Sequence, residues 1–124
     1  RGKVMVINFW FTTCAPCVAE IPGLNEIVDQ FEAQPVVFLA ISPDDRATIQ
    51  SFIEKQPFDF QMTAKTNHIF RSVFNLNEGF GYPTTIVLDK AGKIRKITIG
   101  GRIDDQATAA IKAELIPTIE SCLK

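Results

Sequence analysis

A chain of 124 residues, 46% of them hydrophobic, makes one domain and can bury roughly two thirds of the surface its unfolded form exposes, without a disulfide framework. Lys and Arg number 13 against 14 for Asp and Glu, and the charges are scattered, which excludes an electrostatic case for nucleic acid or an anionic membrane surface. The longest apolar runs, 4–11 (broken by Asn8) and 36–41, are too short to span a bilayer. Three cysteines exclude a disulfide-rich scaffold but not an oxidising compartment.

The chain opens on Arg1-Gly2-Lys3, with no initiator Met and no charged leader followed by an apolar run, and is expected to be a mature protein or an excised domain. Residues 4–11 form an apolar, β-prone run expected to be a strand buried on both faces. A helix is expected over 15–33, because Ile21, Leu24, Ile27, Val28 and Phe31 fall on one stripe with Cys17 a turn earlier. Pro22 lies past its first turn and should bend it.

Gln34-Pro35 ends that pattern, and 36–41 is a second strand. Ser42-Pro43-Asp44-Asp45 has the form of an N-cap, a proline at the first helical position and an acid at the third, opening a helix that turns Ile49, Phe52 and Ile53 inward and ends at Pro57. Residues 58–64 should be extended. Thr66 should cap a short helix with Ile69, Phe70, Val73 and Phe74 inward, followed by a loop over 75–81. Residues 84–89 and 93–99 flank Lys90-Ala91-Gly92 as an antiparallel hairpin, and Lys93, Arg95 and Lys96 suit an exposed edge. Gly100-Gly101 breaks the ladder. Asp104 or Asp105 then caps a last helix that Pro117 should interrupt. The resulting fold class is α/β, a central mixed sheet with helices on both faces.

Cys14 and Cys17, three positions apart, stand where the first strand hands over to the first helix. Unpaired N–H groups and the positive end of the helix dipole there stabilise a thiolate and can lower a cysteine pKa from about 8.5 to roughly 3.5–7.5. Cys14, ahead of the first turn, should be the exposed nucleophile. Cys17, inside the helix, should face inward and resolve the mixed disulfide. Pro16 fits the first turn, where a missing N–H is harmless, and stiffens the ring a disulfide would close.

A metal site needs about four ligands, and the chain offers only His68 and Cys122 as further soft donors. His68 falls opposite the apolar face of its helix, and Cys122 lines up with Ile111, Leu115 and Ile119 as a core thiol. No metal or organic cofactor is therefore called for. Glu20 lies three residues after Cys17, within the apolar stripe. Desolvation there raises a carboxyl pKa and would make it a proton acceptor for the Cys17 thiol; the competing reading is a first-turn acid that complements the helix dipole. Asn8, an amide in an apolar strand, must be hydrogen-bonded, either to orient groups at the site or simply to be satisfied in the core. Tyr82-Pro83-Thr84 precedes the third β-prone run, a weak signal by itself.

These features together resemble the thioredoxin superfamily, in its TlpA/ResA-like branch of thiol-disulfide oxidoreductases. The resemblance runs over nearly the whole chain: Gly2-Lys3 and the apolar strand, Asn8-Phe9-Trp10, Cys14-Ala15-Pro16-Cys17, Glu20, Pro22, and Tyr82-Pro83-Thr84-Thr85 leading to Asp89. It implies a thioredoxin-like fold and a dithiol that reduces protein disulfides outside the cytoplasm, with an oxidase of the same fold as the close alternative. It implies that Pro83 is a cis-proline beside the cysteines, that backbone near Tyr82 pairs with an extended substrate segment, and that Trp10, Ala15 and Pro16 border the substrate. Glu20 matches the buried glutamate of this branch. Asn8 stands where thioredoxins proper carry a buried aspartate, which favours the extracytoplasmic branch.

The expected partners are disulfide-containing proteins and an upstream electron-donating thiol protein, acting on a monomer with no membrane insertion in this segment. The branch usually carries a β-hairpin ahead of the position of residue 1, so an N-terminal portion with any export signal is expected to be missing, and the loop 77–81 is longer than usual. A thiol peroxidase of the superfamily has a Pro-x-x-x-Thr-x-x-Cys pattern, but Ile7 and Phe11 hold those two positions before Cys14. A binding module holding metal, or a docking domain with an idle disulfide, is the reading from another class.

Overall fold

The computed structural model describes residues 2–63, 83–100 and 106–124. In chain order these give β1 (Val4–Phe9), α1 (Ala15–Gln30), β2 (Val36–Ile41), α2 (Arg46–Lys55), β3 (Gln61–Thr63), β4 (Thr84–Leu88), β5 (Ile94–Ile99) and α3 (Gln106–Leu123). The strands form one sheet in the order β3-β2-β1-β4-β5. β1 and β2 run parallel, as a strand–helix–strand crossover requires, and β2 and β3 are also parallel, while β4 is antiparallel to both β1 and β5. The sheet is mixed, as the alternation of elements in the sequence implies.

Period-two alternation in β1 divides the core. Val4, Val6 and Trp10 join α1 and α3 residues in the larger cluster, whereas Ile7 and Phe9 belong to a second cluster with Ile41 and Ile86. Ile21, Leu24 and Ile27 of α1 have no exposed surface, and each contributes roughly 2 kcal/mol of apolar burial. α1 and α3 pack tightly at Gly23, where an added Cβ would lie 2.7 Å from Ile111 Cγ2 and 3.0 Å from Thr108 Cα. The Lys112–Glu26 ion pair at 2.8 Å spans the exposed rim of that contact.

Several boundaries differ from the sequence expectation, β1 among them, which ends at Phe9 rather than at residue 11. α1 ends at Gln30 instead of residue 33, capped by Phe31. α2 starts at Arg46, because Asp45 rather than Ser42 is its cap: the Asp45 carboxylate accepts from Thr48 N–H at 2.8 Å. The Ser42 hydroxyl instead accepts from Asp44 N–H at 3.1 Å. α3 runs through Pro117 without interruption. One proline removes one helical hydrogen bond, while Ile111, Leu115, Ile119 and Cys122 keep both halves of α3 on the core.

At the β4–β5 turn Gly92 has φ 86°, a left-handed conformation that suits glycine. Asp89 Oδ1 accepts from Lys93 and Ala91 N–H, and those bonds, with Arg95 and Lys93 nearby, hold its carboxyl below the usual range. β5 is an edge strand, as its Lys and Arg content suggests. The expected short helix with Thr66 and His68, the loop 75–81, Tyr82 and the caps Asp104 and Asp105 lie outside the described residues.

Candidate active site

β1 delivers the chain to the site. Trp10 N–H continues the ladder by donating to Ile41 C=O at 3.1 Å, and Cys14 N–H donates to Phe11 C=O at 3.1 Å, closing a tight turn. Between them Thr12 N–H donates to Asp44 Oδ2 at 2.7 Å. Asp44, inside the segment whose form suggests a helix start, therefore fastens the loop ahead of Cys14.

Cys14 is the N-cap of α1, with extended backbone (φ −88°, ψ 104°), and its Sγ accepts from Cys17 N–H at 3.3 Å. Pro16 occupies the first turn, where its missing N–H leaves nothing unpaired. Cys14 and Cys17 are joined in a disulfide with their Cα atoms 5.2 Å apart. Cys14 is only 5% exposed and Cys17 2%. The exposed Cys14 expected from the sequence is thus corrected for this oxidised state: its sulfur turns back over the first helical turn onto Cys17. Ala15 is exposed and Pro16 half-buried, so these two residues bring the site to the surface.

One turn past Cys17, Glu20 is 6% exposed. No described residue offers a hydrogen bond to its Oε1. Burial raises its pKa from 4.5 to about 7. A first-turn acid that only complemented the dipole would lie at the helix surface, and this one does not. Gly100, just after β5, packs against it: a Cβ there would collide with Glu20 Oε2 and come within 2.8 Å of Pro83 Cγ. Gly100 N–H donates to Pro83 C=O at 2.9 Å. The fold thus brings Glu20 and Pro83, far apart in sequence, to the same glycine.

Two expected residues take other places. Trp10 cannot border a substrate in this conformation, because its ring is fully buried, 5.2 Å from Phe52 and 5.1 Å from Phe58 between centroids. Asn8 is opposite Thr85 in the β1–β4 register and donates to Thr85 Oγ1 at 2.8 Å, which satisfies it within the core. Cys122 is a buried free thiol in α3. Among the described residues no group of three His, Cys, Asp or Glu side chains is placed to hold a metal ion, and no helix is long and apolar enough to cross a membrane.

Gly100 and Asp44 were not marked by sequence. Gly100 looked like a strand breaker and Asp44 like part of a helix cap, and their partners lie far along the chain.

With this geometry in view, the model of the AhpC/TSA family matches residues 1–97. The thiol-disulfide oxidoreductase ResA of Geobacillus thermodenitrificans is 31% identical over 101 residues, covering 81% of this chain and 56% of the relative. The chain spans just over half the length of the curated relatives it matches. Among solved structures, a thiol:disulfide interchange protein of the thioredoxin family from Chlorobium tepidum superposes with a TM-score of 0.78 at 22% identity, covering 99% of this chain and 81% of its own. A secreted disulfide oxidoreductase of Mycobacterium tuberculosis, homologous to E. coli DsbE, gives 0.67 at 21%, covering 89% and 83%. These likenesses establish the thioredoxin-like fold.

Proposed function

The chain belongs to the AhpC/TSA family, and from that membership and its site we propose that it is a thiol-disulfide oxidoreductase that reduces protein disulfides outside the cytoplasm. Support comes from the relatives named ResA thiol-disulfide oxidoreductases and, for the compartment, from the neighbour described as secreted. The observation that carries the chemical reading is the buried Glu20 carboxyl, one helical turn from the resolving cysteine and with Oε1 unpaired among the described residues.

In the reduced protein the Cys14 thiolate attacks one sulfur of the substrate disulfide. A Cys14–substrate bond forms, and the other substrate sulfur leaves as a thiolate that takes a proton from water. Glu20 accepts the proton of the Cys17 thiol, and the Cys17 thiolate attacks Cys14 Sγ. The substrate's second sulfur leaves, and two electrons have passed from the dithiol to the substrate. The product is the Cys14–Cys17 disulfide, the state of this structure.

The raised pKa matters for the middle step. Against a thiol near 8.5, transfer to an ordinary glutamate is uphill by about 5 kcal/mol; with Glu20 at about 7 the gap is about 2 kcal/mol. Ala15 and Pro16, at the surface beside the disulfide, and the chain around Tyr82 and Pro83 are the proposed substrate contacts. Disulfide-containing proteins and an upstream thiol donor are the proposed partners.

The test is the pH dependence of mixed-disulfide resolution by the reduced protein. The wild-type rate rises through about pH 7, and Glu20→Gln slows it by roughly a hundredfold below the thiol pKa. An unchanged rate would remove Glu20 from the mechanism. Equilibration with glutathione fixes direction: a couple more reducing than glutathione marks a reductase, a more oxidising one the oxidase.

A further inference from the structure

A cleft of about 390 Å³ opens between β5 and α3, with Glu20, Thr98, Gly100, Ala107, Ala110 and Glu114 among its lining residues. Ala107, Ala110 and Glu114 lie three and four residues apart on α3 and so form one stripe along the cleft. Two of the three are alanines, which leave the space open. Glu114, at the exposed end of the stripe, pairs with Lys96 of β5 at 3.1 Å. Thr98 lies two residues from Lys96 and shares its face of the sheet.

The cleft therefore grades from a charged rim, past a hydroxyl, to a nine-tenths buried carboxyl whose Oε1 finds no hydrogen bond among the described residues. Water occupies cavities that are polar and roomy, at about 30 Å³ per molecule in the liquid, and this space also admits a molecule as large as acetate or imidazole. A carboxyl that takes a proton from a buried thiol either holds it until the disulfide is reduced again or exchanges it with solvent, and exchange needs a path out of the core. On the Pro83 side Gly100 is packed against Glu20.

We propose that this cleft is the proton port of Glu20: the path by which the proton taken from Cys17 reaches solvent, and a binding site for small weak acids and bases, kept open by Ala107 and Ala110. The proposal rests on Glu20 being the proton acceptor, and chemical rescue separates the two claims. In Glu20→Ala the missing carboxyl leaves a channel from the cleft toward Cys17. Resolution of a mixed disulfide by the reduced variant is measured with added acetate or imidazole, and with a bulky sulfonate buffer of matched pKa.

The expected result is a rate lowered by roughly a hundredfold in Glu20→Ala, and restored roughly tenfold or more by acetate and imidazole but not by the bulky buffer. Adding Ala110→Leu, which fills the cleft, abolishes the rescue. The buffer-size comparison needs no second substitution, so it decides the matter even where Ala110→Leu fails to fold. A Glu20→Ala variant as fast as wild type overturns the acceptor role and the port with it. A slow variant that no small base restores, or that large and small buffers restore equally, overturns the port alone.

Discussion

Replacing Glu20 with Gln removes a charge that the fold disfavours. Burial raises the pKa from 4.5 to about 7, so between those values the folded protein holds a proton that the unfolded chain has released. Stability from this group is full below pH 4.5 and is lost as pH rises through about 7. The displacement corresponds to about 3 kcal/mol, an upper figure because water reaching the carboxyl softens it. Glutamine matches the protonated acid in shape and stays neutral at every pH. The oxidised Glu20→Gln protein should therefore equal wild type within about 1 kcal/mol near pH 4 and exceed it by about 2–3 kcal/mol near pH 8. Urea denaturation of the disulfide form of both proteins across this range gives the difference directly, and groups that titrate in both cancel. A difference that stays flat with pH refutes the buried carboxyl. One of opposite sign shows that the ionised form is the favoured one, as for an acid on a helix dipole.

Other expected outcomes follow from contacts around the site. Gly100→Ala drives a Cβ into Glu20 Oε2 and toward Pro83 Cγ, and should cost about 1–3 kcal/mol in denaturant titration; no loss would show that the contact relaxes freely. Gly23→Ala meets Ile111 Cγ2 at 2.7 Å and should cost a similar amount, with perturbed NMR shifts at Thr108 and Ile111. Asp44→Ala leaves Thr12 N–H without its acceptor; about 1–3 kcal/mol of stability should go, and the Thr12 amide should exchange faster with solvent. An unchanged exchange rate would mean the bond does not hold the loop.

The fold was legible where local pattern and burial agree. The apolar runs of β1 and β2, the stripe of α1 and the β4–β5 turn each carry their periodicity in consecutive residues, and the structure has each of these elements, with β1 ending two residues and α1 three residues earlier than the pattern suggests. The inward Cys17 and Glu20 were legible for the same reason, since helical spacing alone puts those two on one face. Cap assignment was not, because Ser42, Asp44 and Asp45 are all competent acceptors, and only the approach of Thr12 from another loop decides which amide each one takes. Pro117 does not interrupt α3, because a local helix rule yields where four apolar residues anchor the helix on both sides. Gly100 could not be found at all, since its role depends on a carboxyl 80 positions away and becomes visible only when the residue that follows β5 meets Glu20 of α1.

The measurement closest to the mechanism is a single turnover of the reduced protein with a protein disulfide, quenched in acid and resolved by mass. Wild type should end as the Cys14–Cys17 disulfide with two free substrate thiols. Cys17→Ser should accumulate a mixed disulfide between Cys14 and the substrate, and Cys14→Ser should give neither product. Reduction of the substrate by Cys14→Ser, or completed turnover by Cys17→Ser with no mixed disulfide, would contradict the assignment of nucleophile and resolving thiol.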